Sequence, residues 1–396
     1  MITDSKKIEE VLTKGVVQVL PTKKDLAKLM GKRKIKLYLG IDPTNPNIHI
    51  GHVVPLRKLK DFQDLGHEVI LLFGTFTAQI GDPSERDKIR KPLTLSQVKK
   101  NMFAYKKQAS KILDFSKVKI KMNHVWLEKL KFDDLVKMGS YFTTSRLLER
   151  DMFQNRLKKG QEVWLNELLY PLMQGYDSVA MNVDLEIGGT DQIFNMLTGR
   201  KLQKIYNSKE KFILTIPMLT GLDGREMSKT YGNMVNLIDS PNNMFGKIMS
   251  LKDDLIIHYF ELCTNESISE IKKMESDLES KKVNPRDMKA KLAKEIVRIY
   301  YGEKAAEKAE QEFDRVFKEK KFPSKIKEVK ISKKEIDILE LLLKAKLVSS
   351  KSEAKRLIEQ NAVKINGDIK QDWNEVVKIE KGMVIKVGKR KFVKII

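Results

Sequence analysis

Tyr38-Leu39-Gly40-Ile41-Asp42-Pro43-Thr44-Asn45-Pro46-Asn47-Ile48-His49-Ile50-Gly51-His52 runs from an apolar stretch through a proline-punctuated loop into a helical pattern. A strand handing its chain to a helix in this way is the repeating unit of parallel α/β sheets. The same alternation recurs along the chain. Ile35 to Gly40, Glu68 to Phe73, Asp184 to Ile187 and Phe212 to Ile216 read as strands, separated by helical stretches such as Pro55 to Leu65. Residues 1–240 are therefore expected to form a Rossmann-like parallel sheet covered by helices. His49 and His52, three apart, share one face of a helix's first turn, where unpaired backbone N–H groups and the dipole favour an anion. Their imidazoles add donors for phosphate oxygens, and Gly51 leaves room for a flat base to approach the backbone. A histidine pair that only caps or packs is the plainer alternative.

The chain has 396 residues, 41% of them hydrophobic, enough for two or three domains with sizeable cores and too apolar for a disordered chain. Lys and Arg number 76 against 53 Asp and Glu, a net charge of +23. That excess suits a polyanion such as nucleic acid, or else only a lysine-rich, well-solvated surface. No segment approaches the roughly 20 apolar residues of a membrane span, and MITDSKKIEE lacks the apolar core of a signal peptide, so the expected address is the cytoplasm. A single cysteine, Cys263, excludes intrachain disulfides, and the five histidines have no structural-zinc spacing, so no protein-held metal is expected.

From 241 to 318 the pattern turns helical: Met288, Leu292, Ile296 and Ile299 keep a helical period, and Asn284-Pro285 divides the run. Residues 319–335 are polar, basic and interrupted by Pro323, as a linker would be. Residues 336–396 read as a small α+β domain. Ser350 and Glu353 make a capping-box pattern before the helix EAKRLIEQN, Asn361 suits its C-terminal end, Asn366-Gly367 signals a type I′ turn, and a terminal hairpin joins Met383–Val387 to Phe392–Ile396.

A second candidate loop, Gly224-Arg225-Glu226-Met227-Ser228-Lys229-Thr230-Tyr231-Gly232-Asn233, follows the last of these strands. It carries a lysine that could follow charge onto leaving pyrophosphate, although a Ser-Lys-Thr string is common in surface turns. In this order and separation the two segments resemble the HIGH and KMSKS signatures of class I aminoacyl-tRNA synthetases. Residues 49–52 match the first letter for letter. The second appears as Glu226-Met227-Ser228-Lys229-Thr230, without its leading lysine, for which Arg225 is the candidate substitute.

Tyr170, Gln174 and Asp177 are spaced to share one helix face, a stripe unlike a core face, with Pro171 as a possible helix start. Together with Tyr38, with Ile80-Gly81-Asp82-Pro83-Ser84 and with Ile187-Gly188-Gly189-Thr190-Asp191-Gln192, the chain resembles bacterial-type tyrosyl-tRNA synthetases. Taken singly, Asp82 could be a turn starter and Gly188-Gly189 a strand end. The resemblance implies that Tyr38 and Asp177 hold a substrate phenol. It further implies that Asp82, Tyr170 and Gln174 bind its α-ammonium group, with Gln192 close by. Gly40, Asp42, Thr44, His49, Gly51, His52, Gly189, Asp191, Met227, Ser228 and Lys229 then surround ATP. Arg86, Lys88 and Arg90 are candidates for closing over it.

The implied reaction activates L-tyrosine with ATP to tyrosyl-adenylate plus pyrophosphate, then transfers tyrosyl to the 3′-terminal ribose of tRNA(Tyr). The carboxylate is itself the nucleophile, so no general base is needed. Catalysis falls to positioning and to cations at the phosphates: His49, His52, Lys229 and magnesium carried by ATP. The end of the chain is similar to a small ribosomal-protein-like RNA-binding module, with Lys351, Lys355, Arg356 and Lys364 facing phosphates. The helical region would meet the anticodon arm, and residues 125–165 would form a homodimer interface. Competing readings are a tryptophanyl homologue, a non-catalytic RNA-binding paralogue and a small-molecule adenylyltransferase.

Overall fold

The computed structural model describes residues 1–83, 93–228, 230–318, 326–388 and 391–396. They pack as two compact units, one of Met1–Asp239 with Leu251–Leu292, the other of Ser240–Ser250 with Ala293–Ile396. No described helix is long and apolar enough to cross a membrane.

The first unit is built on a six-stranded sheet: β1 (Gln18–Leu20), β2 (Lys36–Ile41), β3 (Glu68–Phe73), β4 (Val118–Met122), β5 (Leu185–Gly189) and β6 (Phe212–Ile216). Their order is β1-β6-β5-β2-β3-β4, with only β1 antiparallel to its neighbour. The central strands are apolar because helices cover both faces: Leu37, Tyr38 and Leu39 of β2 and Val69 to Phe73 of β3 are all buried. From β2 the chain proceeds to β3 on one side and later to β5 and β6 on the other. The crevice beyond the C-terminal ends of β2 and β5 is thus the switch point of the sheet, where α/β folds bind ligands. Gly40, Ile41 and Asp42 end one strand there; Gly188 and Gly189 end the other.

Two helices run through prolines. The helix Ile50–Asp64 has the histidine segment as its first turn, as expected, and extends through Pro55. The helix Leu165–Met181 also runs straight through the buried Pro171, which does not start it. Tyr170, Gln174 and Asp177 therefore do share one continuous helix. The following helix, Ile193–Asn207, crosses it at two glycines: a Cβ on Gly175 would lie 3.1 Å from the Gly199 nitrogen, and one on Gly199 would lie 3.2 Å from the Gly175 Cα.

In the helical region, Ile268–Glu279 and Pro285–Tyr301 are separate helices, broken at Asn284-Pro285, and Met288, Leu292 and Ile296 are buried as their spacing predicts. The C-terminal module has its own core, including Ile338, Leu342, Ile358, Val363 and Ile385. Its strands are β7 (Lys327–Val329), β8 (Glu335–Asp337), β9 (Val363–Ile365), β10 (Asp368–Ile369), β11 (Val376–Lys378), β12 (Val384–Val387) and β13 (Lys391–Ile395). Within the stretch read as linker, residues 327–329 pair with β13 as a strand. Asn366 and Gly367 join β9 to β10 with φ of 51° and 104°, the positive angles a type I′ turn requires. Ser350 caps the helix Lys351–Glu359 through the Glu353 N–H, while the Glu353 carboxylate accepts from the Ser349 N–H.

Candidate active site

His49 is the N-cap of the helix Ile50–Asp64, and its backbone N–H donates to His52 Nδ1 at 3.3 Å. The two rings lie 3.7 Å apart between centroids. Burial, reinforced for His49 by the neighbouring ring, pushes the imidazoles down to about 3 for His49 and about 4 for His52. Burial thus favours the uncharged imidazoles, which can offer N–H groups to phosphate oxygens. His49 Nδ1 is buried without a hydrogen-bond partner.

The second signature comes to the first through backbone pairing. Ile50 N–H donates to the Val235 carbonyl at 2.8 Å, and Leu237 N–H to the Ile48 carbonyl at 3.0 Å. A Cβ on Gly51 would meet Met227 Sδ at 3.1 Å and His49 Nδ1 at 3.0 Å, so glycine is what lets the two segments touch. The loop is tied by buried Asn233, which accepts from Ser228 N–H at 2.9 Å and donates to Asp223 at 2.7 Å and to the Glu226 carbonyl at 3.0 Å. Arg225, the candidate substitute for the missing lysine, pairs its guanidinium with Asp223 and lies over the Tyr231 ring at 4.1 Å. Lys229, like Arg86, Lys88 and Arg90, lies outside the described residues.

At the strand ends the acidic and phenolic side chains join a continuous hydrogen-bonded network. Tyr170 donates to Asp42 Oδ2 at 2.9 Å and Thr77 to Asp42 Oδ1 at 2.7 Å. Thr77 accepts from Asn123 at 3.0 Å, and Asn123 also donates to Asp177 Oδ2 at 3.3 Å. Asp177 is only 3% exposed, and its other oxygen accepts from the Trp126 indole at 2.7 Å. Burial outweighs these two donors and raises its carboxyl well above the usual range, with Glu186 and Asp42 adding repulsion. On the other side, Gln192 donates to both Asp82 and Asp191 at 2.7 Å, and Asn195 donates to Gln192 at 3.1 Å and to Gln174 at 2.9 Å. Thr44, whose N–H bonds the Asp42 carbonyl at 2.7 Å, and Gly189, where a Cβ would lie 2.3 Å from Asp191 Oδ1, complete the rim.

Tyr38 and Asp177 are not bonded to each other. The fully buried Tyr38 hydroxyl lies 2.9 Å from Ser178 Oγ, and burial keeps this phenol protonated. Several groups in the network gave little sequence signal: Thr77, Asn123, Trp126, Ser178, Glu186, Asn195 and Lys211. Arg150, stacked over Phe153 and Phe194, adds a cation that Asp82, Tyr170 and Asp191 stabilise against burial. Among the described residues no three His, Cys, Asp or Glu side chains gather to hold a metal.

Residues 30–318 match the model of class I tRNA synthetases (W and Y), and residues 318–395 match the tyrosine–tRNA ligase SYY-like C-terminal domain. The chain belongs to the class I tRNA synthetase family. Among curated members, the Carboxydothermus hydrogenoformans tyrosine–tRNA ligase is 45% identical across 100% of this chain and 99% of its own length. The Thermotoga maritima tyrosine–tRNA ligase is 44% identical over 98% and 96%. A solved structure of a C-terminally truncated mitochondrial tyrosyl-tRNA synthetase from Aspergillus nidulans superposes with a TM-score of 0.66 at 24% identity, covering 78% of this chain and 94% of that one. A likeness at that identity bears on the synthetase fold alone.

Proposed function

We propose that this protein is a tyrosine–tRNA ligase, which activates L-tyrosine with ATP and passes the tyrosyl group to the terminal ribose of tRNA(Tyr). Its full-length likeness to curated tyrosine–tRNA ligases carries the reading and disfavours the tryptophanyl and non-catalytic alternatives. The buried Asp177 gives it a chemical basis. A phenol entering beside Asp177 finds an acceptor for its proton, and an amino acid without that hydroxyl forgoes this hydrogen bond to a desolvated carboxyl already held by the Trp126 and Asn123 donors.

In this reading Tyr38 and Asp177 receive the phenol, and Asp82, Tyr170, Gln174 and Gln192 receive the α-ammonium. The substrate carboxylate is thereby directed at the α-phosphorus of ATP. The nucleotide occupies the switch-point crevice, along Gly40, Asp42, Thr44, Gly51, Gly189, Asp191, Met227 and Ser228. As the carboxylate attacks, the bond to pyrophosphate breaks and charge grows on the leaving phosphates. His49, His52 and the helix N–H groups donate to those oxygens, and Lys229 supplies a cation. Magnesium arrives on the triphosphate and supplies further charge.

The 241–318 region would meet the anticodon arm, and Lys351, Lys355, Arg356 and Lys364 would contact tRNA phosphates. Lys351 and Arg356 are exposed, whereas Lys355 also covers the Trp373 ring at 3.8 Å. A homodimer through residues 125–165, where Phe132 is 81% exposed, and a cytoplasmic address belong to the same proposal. The test is charging of tRNA(Tyr) with labelled tyrosine by the purified chain, ATP and magnesium. Formation of the tyrosyl ester supports the reading; a stable adenylate that never transfers, or no product, overturns it.

A further inference from the structure

Behind the phenol pocket lies an ion pair that the reaction as described does not use. Lys211, just ahead of β6, is 0% exposed and pairs with Glu186 of β5, itself 2% exposed. Glu186 is the register partner of Tyr38 across β2 and β5, so both side chains stand on the same face of the sheet. Lys211 Nζ also donates to Ser178 Oγ at 2.9 Å, and that oxygen lies 2.9 Å from the Tyr38 hydroxyl. The other oxygen of Glu186 accepts from Gln174 Nε2 at 3.1 Å. Room for this cluster exists because residue 199 is glycine, where a Cβ would fall 2.6 Å from Lys211 Nζ and 3.0 Å from Ser178 Oγ.

Such a pair is costly to bury unless its remaining donors and acceptors are used, and here they are used on two residues of the tyrosine pocket. We infer that Glu186, Lys211 and Ser178 are positioning residues that set which way Tyr38 and Gln174 present their hydrogen bonds to substrate tyrosine. An ammonium has only donors, so Lys211 makes Ser178 Oγ an acceptor and leaves the serine one proton to give. The Ser178 proton has the Tyr38 oxygen at 2.9 Å and Glu186 Oε2 at 3.5 Å, so Ser178 donates to Tyr38. Glu186 also faces the Tyr38 hydroxyl as an acceptor, and its pairing with Lys211 leaves the Tyr38 proton to the substrate oxygen once tyrosine is bound. The substrate phenol accepts from Tyr38 and gives its own proton to Asp177, a polarity that phenylalanine cannot satisfy. At the other end, carboxylate Glu186 can only accept, so it fixes the Gln174 amide with Nε2 toward itself. Gln174 Oε1 is left turned away, bonded at 2.9 Å by Asn195, as an acceptor for an ammonium.

This inference rests on the assignment of Tyr38 to the phenol, and the test separates the two. Glu186→Gln combined with Lys211→Met removes both charges together, and Ser178→Ala cuts the link alone. Each is measured by pyrophosphate exchange with tyrosine and with phenylalanine, in wild-type and Tyr38→Phe backgrounds, with KM for ATP as a second readout. The expected result is at least a fivefold fall in the tyrosine-to-phenylalanine ratio of kcat/KM, carried by KM for tyrosine. KM for ATP stays within twofold, and no further fall appears once Tyr38 is Phe. An equal fall in both backgrounds, an equal rise in KM for ATP, or no fall in Ser178→Ala overturns the inference. An unchanged ratio in Tyr38→Phe alone instead overturns the assignment of Tyr38. If the charge-free double variant does not fold, Ser178→Ala decides.

Discussion

Replacing Asp177 by Asn tests the proposed phenol pocket at a buried carboxyl. Both neighbours of the carboxylate are donors: the Trp126 indole at 2.7 Å and Asn123 Nδ2 at 3.3 Å. Asn123 cannot turn its amide to help, because its Oδ1 already accepts from the Phe76 N–H at 2.8 Å. An amide at 177 can satisfy only one of the two, leaving a buried donor facing a donor at a stability cost of about 1–3 kcal/mol. The substrate phenol also loses a charged acceptor, a bond worth about 1.5–3 kcal/mol. At about 1.4 kcal/mol per decade, kcat/KM for tyrosine should fall roughly 10- to 150-fold, while the value for phenylalanine changes by less than about threefold. The assay is amino-acid-dependent pyrophosphate exchange with each substrate, beside urea unfolding of both proteins. A folded Asp177→Asn enzyme with the wild-type preference would refute the assignment of Asp177.

Gly74→Ala would put a Cβ 1.8 Å from Asp42 Oδ1 and 2.3 Å from Thr77 Oγ1, displacing the carboxylate that Thr77 and Tyr170 hold. Pyrophosphate exchange should drop at least 50-fold, about 2.3 kcal/mol or more, and near-normal exchange would exclude a working role for that network. His49 and His52 are depressed from 6.5 to about 3 and about 4, so protonation favours unfolding. The stability they hold is complete above about pH 6.5 and is lost as pH falls toward 4. Between pH 7 and 5, wild type should lose up to about 2 kcal/mol more than His52→Gln in urea titrations, with equal losses counting against buried neutral rings. In the C-terminal module, Lys351→Glu with Arg356→Glu should raise KM for tRNA at least tenfold and flatten its dependence on salt. A purely solvated helix would leave both charging parameters alone.

The sequence was most readable where the chain changes element. Residues 38–52 announce a strand, a loop and a helix start in succession, and β2, β3, β5 and β6 lie within two residues of their expected limits. β1 has three residues on an antiparallel edge, too few for a pattern. β4 reads Val-Lys-Ile-Lys-Met, an edge strand whose exposed Lys119 resembles loop composition. Pro171 suggested a helix start, but packing at Gly175 against Gly199 carries the helix through it. The ion pair behind Tyr38 was hidden for a different reason. Glu186 interrupts an apolar strand and Lys211 sits in a lysine-rich turn, and only the fold shows that the two odd residues neutralise each other. An acidic residue inside a doubly covered strand was the available clue.

The proposed function requires a pocket ending in Asp177 to admit one amino acid to a nucleotide held at the switch point. Its most direct test is pyrophosphate exchange into ATP by the wild-type chain with each of the twenty amino acids in turn. Exchange with tyrosine, and with phenylalanine only at least a hundredfold less efficiently, is the predicted result. Exchange that prefers tryptophan, or that no amino acid stimulates, would contradict it.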